Sequence, residues 1–233
     1  MIQSLSNRGS YPSLEKYVYL NQASLGLISN VTIQKMNDFL HDIARHGNIH
    51  MSDQDELDLL QSIRVDASSL FCCEPYQIAV LASASEMLSQ IPYILKPKKK
   101  SSVLMVQSDF PAVTRPWIKY AKENDCQIIF VEENQQSDLT EIIIERIRKN
   151  VSVIQISLVQ FSTGTKINID RLGKETKRLG IKLVVDITQA AGALPIKASE
   201  WNADILLTSG YKWLGGHGGV GLAYISDDML QKK

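Results

Sequence analysis

The chain has 233 residues, 25 basic and 25 acidic side chains and a hydrophobic fraction of 44%. A net charge of zero leaves no long-range field to recruit nucleic acid or an anionic membrane, and no apolar run reaches the roughly 18–20 residues that cross a bilayer. This length and apolar content suit a globular α/β domain with a sizeable core. The first residues, Met1-Ile2-Gln3-Ser4-Leu5-Ser6, lack the apolar region of a secretion signal. Cys72, Cys73 and Cys126 are odd in number and lie mostly in apolar patterns, which predicts reduced, buried thiols and a cytoplasmic protein.

In chain order, the segment Tyr19-Leu20-Asn21-Gln22-Ala23-Ser24-Leu25-Gly26 reads as a polar turn. Helical periodicity follows at 31–46 and 56–71, with a polar break between them. From there short apolar runs alternate with amphipathic ones. Strands are predicted at 77–82, 102–107, 127–131, 151–158, 182–186, 204–208 and 220–225. Helices are predicted at 86–95, 112–124, 139–149 and 170–179. This alternation signals βα units and a mostly parallel sheet. Asp138, with Glu141 three residues on, has the pattern of a capping box, and Lys96-Pro97-Lys98-Lys99-Lys100 reads as a solvated loop. Residues 1–75 form a helical amino-terminal arm packing on a domain at 76–233, the two acting as one unit.

Chemistry concentrates where predicted strands end. Lys212 follows the run Ile205-Leu206-Leu207 between Tyr211 and Trp213. Such a lysine either snorkels to solvent or is partly desolvated, which frees its amine to attack an aldehyde. Asp186 ends the run Ile181-Lys182-Leu183-Val184-Val185. It either caps a helix or faces the crevice at the carboxyl ends of the strands. Ser83-Ala84-Ser85-Glu86 opens a helix after a strand, the setting of an anion site or of an ordinary serine cap. Gly216-His217-Gly218-Gly219-Val220-Gly221 fits the G-x-G-x-x-G pattern, but a strand rather than a helix follows it, which argues against a dinucleotide. His41, His46, His50 and His217 lack zinc-ligand spacing with the cysteines, so no metal is expected.

Asp186-x-x-Gln189-x-x-Gly192, Ala203-Asp204 and Ser209-Gly210-Tyr211-Lys212-Trp213 with its glycine cluster resemble the class V aminotransferase family. Its members are fold type I pyridoxal-phosphate enzymes that include cysteine desulfurases, kynureninases and epimerase-like relatives. The resemblance implies a three-layer αβα sandwich with a mostly parallel seven-stranded sheet and a homodimer acting on an amino acid by transaminase, lyase or epimerase chemistry. It implies that Lys212 forms the Schiff base with pyridoxal 5'-phosphate and that Asp186 pairs with the pyridinium. Phe110 would stack on the ring, Gln189 would lie beside the ring oxygen, and Ala84, Ser85, Ser209 and Tyr211 would hold the phosphate. Gln160, ahead of Thr163, would face the cofactor or substrate, and Asn21 and Ala23 would contact the substrate.

Phe110 and Tyr211 stand where desulfurases usually place histidine. With Gln160 they lean the chain toward the kynureninase-like or epimerase-like branch. The family continues into a small carboxyl-terminal domain, and the sequence stops at Lys233. This leaves open a non-catalytic remnant or a fragment that binds the cofactor.

Overall fold

The structure is a computed structural model that describes residues 7–134 and 136–231. Seven strands form one sheet: β1 (Ile78–Leu81), β2 (Ser102–Val106), β3 (Gln127–Val131), β4 (Val151–Ser157), β5 (Lys182–Asp186), β6 (Ile205–Ser209) and β7 (Gly221–Ile225). Their spatial order is β1-β7-β6-β5-β4-β2-β3, with β7 antiparallel to both of its neighbours. Each predicted strand is present to within one residue or so at its ends. The cause is burial: β2, β5 and β6 lie inside the sheet with almost every residue buried, and strands covered on both faces read as continuous apolar runs.

Side-chain alternation sends the sheet's residues into two cores. On one face Leu104, Ile154, Leu183 and Val185 meet Phe71, Ile143 and Leu172 from α3 (Asp53–Phe71), α6 (Leu139–Arg146) and α7 (Ile169–Leu179). On the other, Val103, Met105, Val153 and Val184 meet Leu88, Ile91, Val113 and Trp117 from α4 (Ala84–Leu95) and α5 (Pro111–Glu123). The result is the expected three-layer αβα sandwich. The amino-terminal segment adds α1 (Ser13–Lys16) and α2 (Asn30–His46), and a short α8 (Asp227–Leu230) follows β7. α2 buries none of its side chains. No described helix is long and apolar enough to cross a membrane.

Three local expectations need correction. Asp138 does cap α6, but it accepts from the Thr140 amide at 2.7 Å. Glu141 is drawn to an ion pair with Arg171 of α7 instead of returning to the cap. The reciprocal box occurs at α3, where Ser52 and Asp55 satisfy each other's amides. The cysteines are free, but only Cys126 is buried; Cys72 is exposed as the left-handed residue that ends α3. α6 also stops at Arg146, short of 149, because Ile147 turns to extended backbone.

Candidate active site

The carboxyl ends of parallel strands converge, as in other open α/β sheets, on a crevice. Ala84, Ser85, Phe110, Ser157, Asp186, Thr188, Gln189, Ser209, Tyr211 and Lys212 line one cavity there. The residues arrive from the ends of β1, β2, β4, β5 and β6. A wider cleft at the opposite end of the sheet is lined by Lys182, Asp204 and Asp227. Its central charges, Lys182 and Asp204, neutralise each other. Asp204, part of the sequence motif, therefore braces the sheet by accepting from the Leu183 amide at 2.8 Å.

Lys212 is only 9% exposed. Its Nζ lies 5.5 Å from the centre of the Phe110 ring and 5.9 Å from that of Tyr211. Burial lowers its pKa, and the negative charge of Asp186 partly opposes the shift. Asp186 is pushed up to about 6, first by burial and further by the nearby Asp109 charge, while hydrogen bonding from Thr188 and the charge of Lys212 hold it down. The Thr188 amide donates to Oδ1 at 2.8 Å.

A chain of small polar groups ties the strand ends together. The Ser209 amide donates to Thr188 Oγ1 at 3.2 Å, and Ser209 Oγ accepts from the Ala84 amide at 3.1 Å. Ser83 supplies the N-cap of α4 by accepting from Glu86 at 3.1 Å, so Ser85 is free of capping duty in the first turn, beside the positive end of the helix. Gly221 passes so close that a Cβ there would sit 2.9 Å from the Ser83 carbonyl carbon. The glycine cluster thus lets β7 approach the α4 turn and, since β7 follows it, forms no dinucleotide loop.

Asp109 is the residue the sequence reading missed. It is buried and accepts from Ser157 N (2.7 Å), Ser157 Oγ (2.6 Å), Phe110 N (2.7 Å) and Gln160 Nε2 (3.3 Å). Burial raises its pKa even against these four donors. Asp109 joins the Phe110 turn to the end of β4, beside Asp186 in the strand register. Its signal was the acidic residue directly before Phe110 in Ser108-Asp109-Phe110.

The remaining candidates divide. Gln160 is buried behind the cavity wall, bound to Asp109 and the Ser157 carbonyl, with its Oε1 unpartnered. Thr163 turns outward to Glu133. Phe161, not singled out by its sequence, packs edge-on against Phe110 at 5.4 Å. Gln189 lines the cavity but donates to the Ala23 carbonyl at 3.0 Å and accepts from the Trp213 indole at 2.8 Å. Asn21 is exposed, and its carbonyl accepts from Ser24 and Leu25. The segment containing it crosses the lysine loop: Gly26 N donates to the Tyr211 carbonyl at 2.7 Å and Gln22 to the Lys212 carbonyl at 2.9 Å.

The fold has counterparts. A structure of the lyase C-DES carrying a K223A substitution, with glycine covalently linked to its pyridoxal-phosphate cofactor, superposes with a TM-score of 0.88 at 19% identity, covering 97% of this chain and 60% of that one. The apo cysteine desulfurase of Thermococcus onnurineus gives 0.84 at 20% identity over 95% and 56%. In sequence, a probable cysteine desulfurase of Pyrococcus abyssi is 23% identical over 96% of this chain and 57% of its own length. A kynureninase of Debaryomyces hansenii is 26% identical over 90% and 50%. The chain therefore spans between half and three-fifths of the length of these relatives. The family model described as aminotransferase class-V matches residues 18–233. The chain belongs to the class-V aminotransferase family.

Proposed function

We propose that the chain carries the cofactor-binding part of a pyridoxal-phosphate enzyme that acts on an amino acid by transaminase, lyase or epimerase chemistry, with Lys212 as the covalent attachment point. The observation that carries this reading is the meeting of Lys212 and Asp186, distant in sequence, in one cavity beside an aromatic ring and a helix amino terminus. Pyridoxal phosphate, when bound, supplies an aldehyde for attachment and an electron sink for the substrate's Cα electrons.

The residues fit that group. Desolvation of Lys212 keeps a fraction of its amine neutral and nucleophilic, and the same Nζ is placed to take and return the substrate's Cα proton. Asp186 has one oxygen held by Thr188 and turns toward the cavity. A cationic ring nitrogen there would restore its ionised form against the burial that now raises it. Phe110 offers a face for stacking. Ser85, Ser209, Tyr211 and the Ala84 turn would hold the phosphate at the start of α4, and Gln189 would lie beside the ring oxygen. Asn21 and Ala23 would contact the substrate from the segment that crosses the lysine loop. A homodimer is part of the same proposal, supported by the exposed apolar side chains of α2 and α3, among them Phe39, Leu40, Leu57 and Leu60.

The test is to incubate the 233-residue chain with pyridoxal phosphate, reduce with borohydride and map the adduct by mass spectrometry. The adduct should fall on Lys212 and vanish in Lys212→Ala. An adduct spread over the exposed lysines of a folded sample removes the proposal.

A further inference from the structure

The amino-terminal arm carries a cluster that the active site does not use. Asp42, His46 and His50 recur at spacings of four. In a helix, residues four apart share a face, so Asp42 and His46 align on the last turns of α2. His50 lies beyond the helix and is returned by the turn that Gly47 begins. Gly47 has φ +59, donates to the Ile43 carbonyl at 2.8 Å, and leaves Ile49 donating to His46 at 3.2 Å. The His50 ring thereby lies over that of His46, centroids 4.4 Å apart and tilted by 36°.

The ligand atoms of the three side chains all lie within 4.8 Å of one another. His46 Nε2 and Asp42 Oδ1 are 4.0 Å apart, too far for a hydrogen bond and close enough to share an ion. Zinc bonds of about 2.0–2.2 Å in tetrahedral geometry place ligand atoms roughly 3.3 Å apart. Rotation of exposed side chains closes that difference without moving the backbone. The end of α2 also supplies the negative pole of the helix dipole, which favours a cation. Two imidazoles and one carboxylate select a borderline transition metal over magnesium or calcium, which take oxygen ligands.

We infer that Asp42, His46 and His50 form a binding site for a divalent transition-metal ion of the zinc type, with the fourth position open to water. The ion would link the last turns of α2 to the turn that leads to the Ser52 cap of α3. α2 buries no side chain of its own, so such a link would hold its end where packing does not. The sequence reading passed over this site by pairing the histidines only with cysteines, while the partner is an aspartate one helical turn away.

Calorimetric titration of the cofactor-free 233-residue chain tests this. Zinc should bind with one-to-one stoichiometry and a micromolar-order dissociation constant, and magnesium should not bind. His46→Ala and His50→Ala should each weaken zinc binding by about tenfold or more, a loss of about 1.4 kcal/mol at least. Cys72→Ser/Cys73→Ser should leave binding intact. Zinc should also slow trypsin cleavage after Arg45 in the parent chain and leave cleavage of the His50→Ala variant unchanged. Because all three side chains are accessible, circular dichroism should show these variants folded as the parent is. Absent zinc binding, or binding that survives the histidine substitutions and disappears with the cysteines, overturns the site.

Discussion

The carboxyl edge of the sheet and the amino-terminal arm are built on opposite principles. At the edge, polar groups are buried, and some are held by several partners. Asp109 alone accepts from three residues, and Lys212 and Asp186 have their pKa values moved by burial. In the arm, α2 leaves its apolar residues exposed and carries its charged and imidazole groups in solvent. Side chains at the edge are preorganised for a ligand, at a cost in stability. The exposed side chains of α2 are instead available to something added, whether a partner surface or an ion.

Core truncations should give the sharpest contrast. Leu104 in β2 is fully buried, and Leu104→Ala should cost about 2–5 kcal/mol through lost transfer energy and the cavity left behind. Leu40 of α2 is 60% exposed, and in dilute protein, where the proposed dimer is dissociated, Leu40→Ala should change stability by no more than about 0.5 kcal/mol. Denaturant titration of both variants measures the difference. A comparable loss at Leu40 would mean that the arm is packed in solution and would break the contrast.

The edge should also show its cost directly. Asp186 is raised in the fold to about 6, so the native state binds a proton more tightly than the unfolded chain. The cofactor-free protein should therefore lose stability as pH rises from about 4 to about 6, with the penalty fully present above that window. Asp186→Asn removes the group that titrates. It should stabilise the cofactor-free chain by about 2–3 kcal/mol at pH 8 and by little at pH 4. Unfolding curves at the two pH values check this, and an equal effect at both would remove the buried charge as the cause.

The smallest effect tests the junction of the two regions. A Cβ on Gly26 would lie 2.0 Å from the Lys212 carbonyl oxygen. Gly26→Ala should lift the crossing segment from the lysine loop, cost about 1–3 kcal/mol and speed proteolysis at 17–25. Unchanged proteolysis would show that the segment does not depend on this close approach.

The same contrast explains what was legible in the sequence. Val103 to Val106 and Leu183 to Val185 announce their strands because burial on both faces demands unbroken apolar runs. Lys212, Asp186, Ala84 and Ser85 could be singled out because each ends or follows such a run, Phe110, Gln189, Ser209 and Tyr211 could be named through the family resemblance, and the structure collects all eight around one cavity. Ser157 and Thr188 could not, and Asp109 left only its place directly before Phe110 as a trace. Their roles arise from strand register, which sets Ser157 beside Asp186, and from contacts across strands that no local pattern records. Gln160 was named, but its amide is committed to Asp109, a partner invisible without that register. Of the Asp42, His46 and His50 cluster, the helix face was readable and the return of His50 through Gly47 was not.

The position of β7 has a consequence for how the protein is made. Among the described residues β1 pairs with no strand but β7, Ile78 opposite Tyr224, so the first of these strands to leave the ribosome must wait for the last of the seven. Long-range pairings of this kind close large loops and are slow to form. The turn that offers Ala84 and Ser85 is attached to β1, and its partner Ser209 ends β6. Until β7 slots between them, the two halves of the proposed phosphate cradle belong to separate pieces of a nascent chain. A nascent chain would thus become able to capture its cofactor only after Ile225 has emerged, so that binding would report completion of the sheet.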